Sequence, residues 1–427
     1  MRAGRRAARE PRRHLNQDAR AEWCRRGHRR RWAAVAAVAL APALASHAGR
    51  AETTVRLGEG LTFAPYVLAQ LDVGSFSQSR SGGQAAGFND RRLRAGGRLT
   101  VGDQVELGFI WDFGQQPGSQ QRLFEAQASY IGLKPFRFTG GAFKTNFGLE
   151  SLQGAGDYLF LERASIATIT RNLAAGIQRV GLQAQADGSR YIASVALTSG
   201  RAGLGDDGNQ RAVVGRAAGL PIHTGETTLH VGASGEWVFR PANESGKPRA
   251  LAFSDRTELQ IDDVKPSLST GGIAASSGGA FGPELALTWR RLWLQGEYYQ
   301  LLVNRRQSGI GDTLTFDGYY AQAAYTLLGK PRTWKPSIGA FGAPTPAEGF
   351  NPGAGQFGAV EVGVRYSAVD LNDKNVRGGR QQVYSAVANW WPVEQLRFSL
   401  LYEHANVSRG PSPRTLNAVA GRAQFQF

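Results

Sequence analysis

From residue 61 onward, the chain alternates apolar and polar residues in segments of about ten residues, separated by Gly, Pro and Asp. A side-chain period of two is typical of a β-strand whose two faces meet different environments. The last segment is the clearest, with Val419, Gly421, Ala423, Phe425 and Phe427 on one face and Arg422, Gln424 and Gln426 on the other. Beyond residue 49, no apolar run approaches the length of a membrane-spanning helix.

The apolar faces carry aromatic residues toward the ends of the segments. Five examples are Phe109/Trp111/Phe113, Phe124/Ala126/Ala128/Tyr130, Tyr319/Ala321/Ala323/Tyr325, Val360/Val362/Val364/Tyr366 and Leu396/Phe398/Leu400/Tyr402. Aromatic girdles at both ends of apolar strands are typical of membrane barrels, whereas the alternative, a soluble β-sandwich, has no need of them. We therefore expect an all-β fold, an antiparallel transmembrane β-barrel, which pairs every backbone polar group within lipid.

Sixteen segments fit this pattern: 61–74, 88–101, 104–113, 122–131, 136–143, 174–185, 190–199, 211–220, 227–240, 279–289, 292–304, 314–327, 357–368, 379–391, 395–406 and 415–427. If both termini are periplasmic, the short connections fall on the periplasmic side and the long ones, 144–173 and 241–278, fall outside. A further strand around 249–261 would reverse this order, so we assign it to the outer loop. The segment 328–356 is exceptional because it is long and yet periplasmic.

The first 48 residues resemble a secretory signal peptide. They contain twelve Arg and three acidic residues, Glu10, Asp18 and Glu22. An apolar stretch at 33–45 precedes Ser46-His47-Ala48. That stretch is too short for the alternative, a transmembrane helix, and the residues around Arg12-Arg13 fit a twin-arginine signal poorly. We predict a cleaved segment 1–48, a short periplasmic segment 49–60 and a barrel over 61–427.

Cleavage changes the meaning of the composition. The full chain carries +16, of which 12 − 3 = +9 belongs to residues 1–48, leaving +7. The basic excess therefore does not indicate a nucleic-acid partner. Cleavage also removes Cys24, the single Cys. The remaining His223, His230 and His404 lack metal-ligand spacing, so we expect no metal, no cofactor and no catalytic residues.

The face opposite the apolar one carries opposed charges. Nine arginines point inward, Arg92, Arg94, Arg98, Arg137, Arg179, Arg190, Arg365, Arg397 and Arg422, as do nine acids, Asp72, Glu106, Asp112, Glu125, Glu236, Glu284, Glu297, Glu361 and Glu403. The wall is thus about neutral. Such rows either stiffen the barrel or, where arginines cluster in a narrow region, favour anions.

Several stretches in order carry a resemblance. They are Arg91-Arg92-Leu93-Arg94, Asn146-Phe147-Gly148-Leu149-Glu150 with Leu161-Glu162-Arg163, Leu229-His230-Val231-Gly232, Phe316-Asp317-Gly318-Tyr319-Tyr320, Gly358-Ala359-Val360-Glu361 with Arg365-Tyr366-Ser367 and Asp370-Leu371-Asn372-Asp373, and Asn389-Trp390-Trp391. From about residue 88 to the end, the chain resembles the phosphate-selective porin family.

This resemblance implies a sixteen-stranded trimeric outer-membrane channel whose loop 144–173 folds into the lumen as a constriction. It places Arg163 on the family's phosphate-contacting arginine, and Arg91 and Arg92 on its paired lumen arginines. Family members that bind phosphate also carry Lys and Ser just after the Leu-Glu pair. In this chain the pair Leu149-Glu150 is followed by Ser151-Leu152-Gln153-Gly154-Ala155-Gly156, which contains no Lys.

We therefore expect an outer-membrane porin for passive diffusion of small anions, with phosphate or polyphosphate as candidates. The expected pore residues are Arg163, Arg91, Arg92, Arg94, Arg98, Arg179, Arg365, Lys144 and Arg171, and the expected partners are outer-membrane lipid and two further copies of the chain.

Three alternatives stay open: a general small-solute porin, an adhesin or receptor acting through 241–278, and an outer-membrane phospholipase. An enzyme of that last type needs a Ser–His pair on the outer wall, and His404 and Ser399 have opposite parity.

Overall fold

A computed structural model describes residues 54–78, 84–114, 122–176, 179–202, 208–243, 247–261, 267–306, 313–410 and 413–427. The predicted signal peptide, Cys24 and the first part of the predicted segment 49–60 lie outside the described residues. The remainder of that segment contains the short strand Val55–Gly58, which pairs with the beginning of the first barrel strand.

Sixteen antiparallel strands close into a barrel: β1 (Leu61–Gln78), β2 (Gln84–Val101), β3 (Val105–Asp112), β4 (Arg122–Tyr130), β5 (Phe136–Phe143), β6 (Arg179–Gly188), β7 (Tyr191–Arg201), β8 (Arg211–His223), β9 (Thr227–Arg240), β10 (Ile273–Trp289), β11 (Leu292–Arg305), β12 (Thr313–Leu328), β13 (Ala359–Asp373), β14 (Val376–Val393), β15 (Leu396–Ser408) and β16 (Arg414–Gln426). Each pairs with its neighbours in sequence, and β1 pairs with β16, from Leu68↔Gln426 to Gln78↔Leu416. The predicted barrel is confirmed.

The two faces of the strands meet different surroundings, as their period of two predicts. On the outer face Leu400 is 62% exposed and Val364 58%, whereas on the inner face Glu403 and Glu361 are fully buried. The prediction is wrong for one residue of the outer face, Phe124. The register shifts beside Trp111, and the ring of Phe124 lies 3.8 Å from the guanidinium of the inward-facing Arg94. A bulge changes which face the next side chain occupies.

The connection between β5 and β6 folds into the barrel, as the family resemblance implies. It contains two helices, α1 (Leu149–Leu152) and α2 (Ser165–Ala174), whose residues are almost all buried. The predicted strand 174–185 therefore begins too early, because Ala174 ends α2 and β6 begins at Arg179. Within the described part of the chain, neither helix is long and apolar enough to cross a membrane.

The connection between β9 and β10 also folds inward. As predicted, 249–261 forms no barrel strand and contains only the two-residue strands Ala250–Leu251 and Ser254–Asp255. Phe253 is 2% exposed and packs edge-on against the inward-facing Phe316. The Asn89 amide donates to the Gln260 carbonyl at 2.6 Å. This loop therefore lines the lumen beside the constriction loop.

The exceptional segment between β12 and β13 enters the barrel from the opposite end. Its aromatic residues Trp334 and Phe341 pack against His230 of β9, with ring centroids 5.0 and 6.3 Å away. The Arg332 guanidinium binds Glu361 through two 2.8 Å contacts, and both side chains are fully buried. A long connection at this end of the barrel, which we predicted to be periplasmic, is thus accommodated because it fills part of the lumen.

Candidate functional site: the constriction

The constriction loop is held to the barrel wall by a carboxylate that receives three arginines. Glu162 accepts from Arg91 at 2.7 and 2.9 Å, from Arg92 at 2.8 Å and from Arg422 at 3.1 Å. All four side chains are buried. These positive charges hold the pKa of Glu162 well below its usual range even though burial acts in the opposite direction. Arg91 and Arg92, both predicted pore residues, are therefore committed to an ion-pair cluster.

A second cluster fixes the loop on the other side. Arg365 of β13 lies 3.2 Å from Glu150 of α1 and also pairs with Glu258 of the 241–272 loop. The three side chains are buried, which joins both inward-folding loops to one wall arginine. Burial raises the pKa of Glu150 to about 7, although the Arg365 charge acts in the opposite direction. Arg365, a predicted pore residue, is thus shared between two carboxylates.

Three cations of the same loop have no such partner. Among the described residues, no carboxylate lies within 4 Å of the charged nitrogens of Lys144, Arg163 or Arg171, which we call the acid-free cluster. The Lys144 ammonium donates to the carbonyls of Ser151 and Leu152 at 3.0 and 3.2 Å.

Polar contacts of the two arginines are sparse. One guanidinium nitrogen of Arg163 donates to the Tyr158 hydroxyl at 2.5 Å, and its Nε is buried without a partner. Arg171 is only 5% exposed, and its Nε also lacks a partner in the described part of the chain. Burying a charged group without a partner is costly.

The three charges act on one another and on Tyr158. Burial lowers the pKa of Lys144 well below its usual value, and the charges of Arg171 and Arg163 lower it further. Burial likewise lowers the pKa of Arg171, with Arg163 as the next contribution. For Tyr158, burial alone raises the pKa, but the positive charges of Arg163 and Arg171 outweigh it, so the pKa is lowered. The positive potential is therefore concentrated at Lys144 and Arg171. At Arg163 burial lowers the pKa, but the charges of Tyr158, Glu162 and Glu150 outweigh it, so the pKa is raised.

The other predicted pore residues have different surroundings. Arg94 pairs with Asp112 at 2.9 Å and is buried. Arg179 donates to the Asn172 and Leu173 carbonyls at 2.9 and 3.0 Å, so it holds the end of α2. The Arg98 side chain is 43% exposed and lies 3.6 Å from Glu125. Of these three, only Arg98 presents much of its charge to water.

The inward-facing arginines near the end of the barrel where β2 ends and β5 begins are partly exposed to water. Arg137, also predicted inward, is 30% exposed and pairs with Glu106 at 2.8 Å. By contrast, the side chains of Arg216, Arg365 and Arg422 are 1% exposed, because the inward-folding segments cover them. Arg190, predicted inward as well, lies exposed at a turn and donates to the His223 carbonyl.

Two buried cations of the lumen were missed. Arg216 of β8 binds Glu284 at 2.6 Å, and Arg332 binds Glu361. Both faces of β8 carry small or apolar residues, so the alternation does not reveal which way Arg216 points. Val213 and Ala217 lie on one face, and Val214 and Ala218 lie on the other. Arg332 lies outside any barrel strand. The signal that could have indicated both is a local excess of predicted inward-facing acids on β9 to β13, where Glu236, Glu284, Glu297 and Glu361 stand against Arg365.

Comparisons with known proteins agree with this architecture. The family described as "Phosphate-selective porin O and P" matches residues 66–427. Porin O of Pseudomonas aeruginosa is 23% identical over 365 residues, which cover 79% of this chain and 80% of Porin O. An uncharacterized protein of Caulobacter vibrioides is 27% identical over 351 residues, and the match covers 78% of this chain and 66% of that protein.

Two solved structures share the fold. OmpT, an outer membrane protein of Vibrio cholerae, superposes with a TM-score of 0.55 at 11% identity, covering 88% of this chain and 100% of that one. An anion-selective porin from Comamonas acidovorans has a TM-score of 0.52 at 13% identity, covering 86% and 100%. The chain belongs to the phosphate-selective porin O and P family and is an outer-membrane β-barrel protein of a bacterium.

Proposed function

We propose that the protein is a passive channel for small anions and that the acid-free cluster of Lys144, Arg163 and Arg171 selects them. The observation that carries this proposal is the burial of Arg171 and of the Arg163 Nε without a partner in the described residues. Cations so placed require a counter-charge, and an anion passing through the constriction supplies one.

The cluster suits an anion that has lost part of its water. Guanidinium groups bind phosphate and carboxylate oxygens through two parallel hydrogen bonds, and the Tyr158 hydroxyl beside Arg163 adds a further polar group. Release stays fast if the binding remains weak, which conduction requires. Lys144 spends its hydrogen bonds on carbonyls, so it contributes mainly through its charge.

Phosphate is the substrate we favour, because Arg163 occupies the position that the family resemblance gives to a phosphate-contacting arginine. The general small-solute channel is the second candidate, and one observation favours it. Many other lumen arginines, including Arg91, Arg92 and Arg365, are engaged by buried carboxylates, and the described residues contain no continuous row of available positive charge. A homotrimer is supported by analogy, since OmpT of Vibrio cholerae is described in a trimer form.

The test is the reversal potential of the reconstituted channel across a KCl gradient. We expect the wild type to prefer chloride and added phosphate to reduce the chloride current. Arg163→Ala and Arg171→Ala each remove one charge of the acid-free cluster, so both should shift the reversal potential toward zero. One unit charge at about 8 Å in water corresponds to about 0.5 kcal/mol, or a roughly twofold change in the permeability ratio.

Arg190→Ala is the matched control, because Arg190 lies exposed at a turn far from the loop in sequence and bonds only a neighbouring carbonyl. It should leave the reversal potential unchanged. A cation-selective wild type would refute the anion channel. An anion-selective wild type whose chloride current is insensitive to phosphate would instead favour the general porin.

A further inference from the structure

A groove that combines apolar surface with charged and amide side chains lies on the outer wall of the barrel, where lipid is expected. It has a volume of about 410 Å³ and crosses β12 to β16. Its polar lining includes Asp317, Asp370, Arg380, Gln382, Asn406 and Arg414. Asp370 lies two positions beyond Ala368 and four beyond the outward-facing Tyr366, so it shares the parity of the lipid-facing residues. Charged groups on this face are unfavourable in hydrocarbon and require an explanation.

The groove lies directly beyond a row of rings that marks the edge of the apolar band. Tyr319, Tyr366, Tyr384 and His404 follow one another across β12 to β15, with centroid separations of 5.9, 4.9 and 6.2 Å. On the side of the row nearer the termini, the wall is apolar, with Val364 58% and Leu400 62% exposed. Aromatic residues with a polar atom favour the interface between hydrocarbon and headgroups.

The height of the groove can be estimated along β14. Arg380 and Trp390 are ten positions apart on the outer face, and the Trp390 ring belongs to the opposite girdle beside Phe398. At about 3.3 Å per residue and a tilt of about 40°, this distance corresponds to about 25 Å along the membrane normal, the height of a barrel's apolar band. Since the termini are at the periplasmic end, the groove is at the depth of the outer-leaflet headgroups.

The chemistry of the groove fits a phosphorylated headgroup held together with a divalent cation. The Arg380 side chain is 69% exposed although it contacts Asp370 at 2.6 Å, so its outer nitrogens are available to a phosphate. Asp317 and Asp370 are direct partners across β12 and β13. Two like charges in this position repel each other, and a Mg²⁺ ion shared with a phosphate would remove the repulsion. Gln382 and Asn406 add donors and acceptors for hydroxyl groups.

We propose that this groove binds the phosphorylated disaccharide headgroup of an outer-leaflet glycolipid, with Arg380 and Arg414 on its phosphates and Asp317 and Asp370 on a bridging Mg²⁺ ion. The occupant follows from the depth of the groove, its charged and amide lining and the adjacent row of rings, on which sugar faces stack. The outer walls of β6 and β9 contrast with it. Val180, Leu182 and Phe239 are exposed near the same end of the barrel and are apolar, and Arg240, the exposed residue that follows Phe239, pairs across the strands with another arginine, Arg211, instead of an acid.

The experiment is a titration of the purified full-length protein in detergent with bisphosphoryl lipid A, followed by native mass spectrometry. The wild type should bind lipid A in the presence of Mg²⁺ and bind more weakly after EDTA treatment. Arg380→Ala/Arg414→Ala should weaken binding about tenfold, because hydrogen bonds between charged groups are lost. Inorganic phosphate and phosphatidylethanolamine should not compete, which distinguishes a glycolipid site from a general phosphate site.

Two further variants keep the result interpretable. Arg290→Ala removes an exposed ion pair, Arg290–Glu226 at 3.2 Å, at the opposite end of the barrel and should bind lipid A like the wild type. Asp317→Asn preserves shape and should abolish the Mg²⁺ dependence. Equal binding by the double variant and the wild type would overturn the proposal. So would dissociation of a wild-type oligomer into monomers by the double variant, because the groove would then be a subunit interface.

Discussion

Glu162 and Arg163 are neighbours in the chain, and yet they belong to two opposite kinds of charge cluster. Glu162 gathers Arg91, Arg92 and Arg422 into a buried, paired group in which Asp72 also binds Arg422, while Arg163 joins Lys144 and Arg171 with no acid of the described residues within 4 Å. The paired group fixes the loop to the wall, and Glu162 and Asp72 cancel two of its three positive charges close by. The acid-free cluster leaves its charge to the lumen. An arginine on a pore wall is therefore informative about selectivity only once its acidic partner is known.

Glu162→Gln should have the largest effect, because it removes the carboxylate that all three arginines share and leaves Asp72 bound to Arg422. Three buried arginines would lose their shared carboxylate, which we expect to cost about 5 kcal/mol, the upper end for breaking a buried ion pair. The measurements are the thermal unfolding midpoint in detergent and the reversal potential in KCl. The first should fall, and the second should shift toward stronger anion preference.

Glu226→Gln is the matched control for that change. Glu226 pairs with Arg290 at the surface, where both side chains are more than 60% exposed, so its loss should cost less than about 1 kcal/mol. If Glu162→Gln proves as mild as Glu226→Gln, the paired group does not anchor the loop.

Arg332→Gln should have an intermediate effect. It removes both contacts to Glu361 and the 2.8 Å contact to the Asp157 carbonyl, at a cost of about 3 kcal/mol. Once the segment between β12 and β13 is released, the single-channel conductance should rise, because less of the lumen is filled.

Lys335→Gln provides the comparison within the same segment. The Lys335 ammonium lies 2.8 Å from Asp157, but its side chain is 43% exposed, so we expect little change in stability or conductance. An unchanged conductance in Arg332→Gln would mean that the segment does not obstruct the pore.

The smallest expected effect is a dependence of the anion preference on pH, which arises from Glu150 near the acid-free cluster. Burial raises the pKa of Glu150 to about 7, so this carboxyl group is neutral below that pH and charged above it. Lowering the pH from 8 to 6 should therefore remove one negative charge near the acid-free cluster and raise the anion preference about twofold.

Glu150→Gln isolates this contribution. Burial also raises the pKa of Asp255 to about 7, so some pH dependence should persist in the variant. The difference between wild type and variant reports Glu150 alone, and identical pH profiles would contradict the assignment.

The barrel could be predicted from sequence because lipid on one side and a packed polar interior on the other impose a period of two over every strand. The segments that fold into the barrel and fill it could not be predicted. The segments 241–272 and 329–358 lack periodicity, and their buried groups meet partners from distant strands, as Glu258 meets Arg365 and Arg332 meets Glu361.

The surroundings of the proposed site were predicted in part. The resemblance led to the inward-folding loop that carries Arg163, and parity found most inward-facing charges, while the pore role of Arg163 stays a prediction. Neither could show that Arg91 and Arg92 share one carboxylate with Arg422, because Glu162 lies 70 or more residues from each of them. Pairing is a property of the closed barrel, where the first and last strands meet.

Asp157 joins parts of the chain that enter the barrel from opposite ends. Its carboxylate accepts from Lys335 at 2.8 Å and from the backbone of Ala343 at 3.1 Å, and its carbonyl accepts from Arg332. The loop that carries Arg163 is thus tied to the segment between β12 and β13. We expect a displacement of this loop to be transmitted through Asp157 toward the other mouth of the channel.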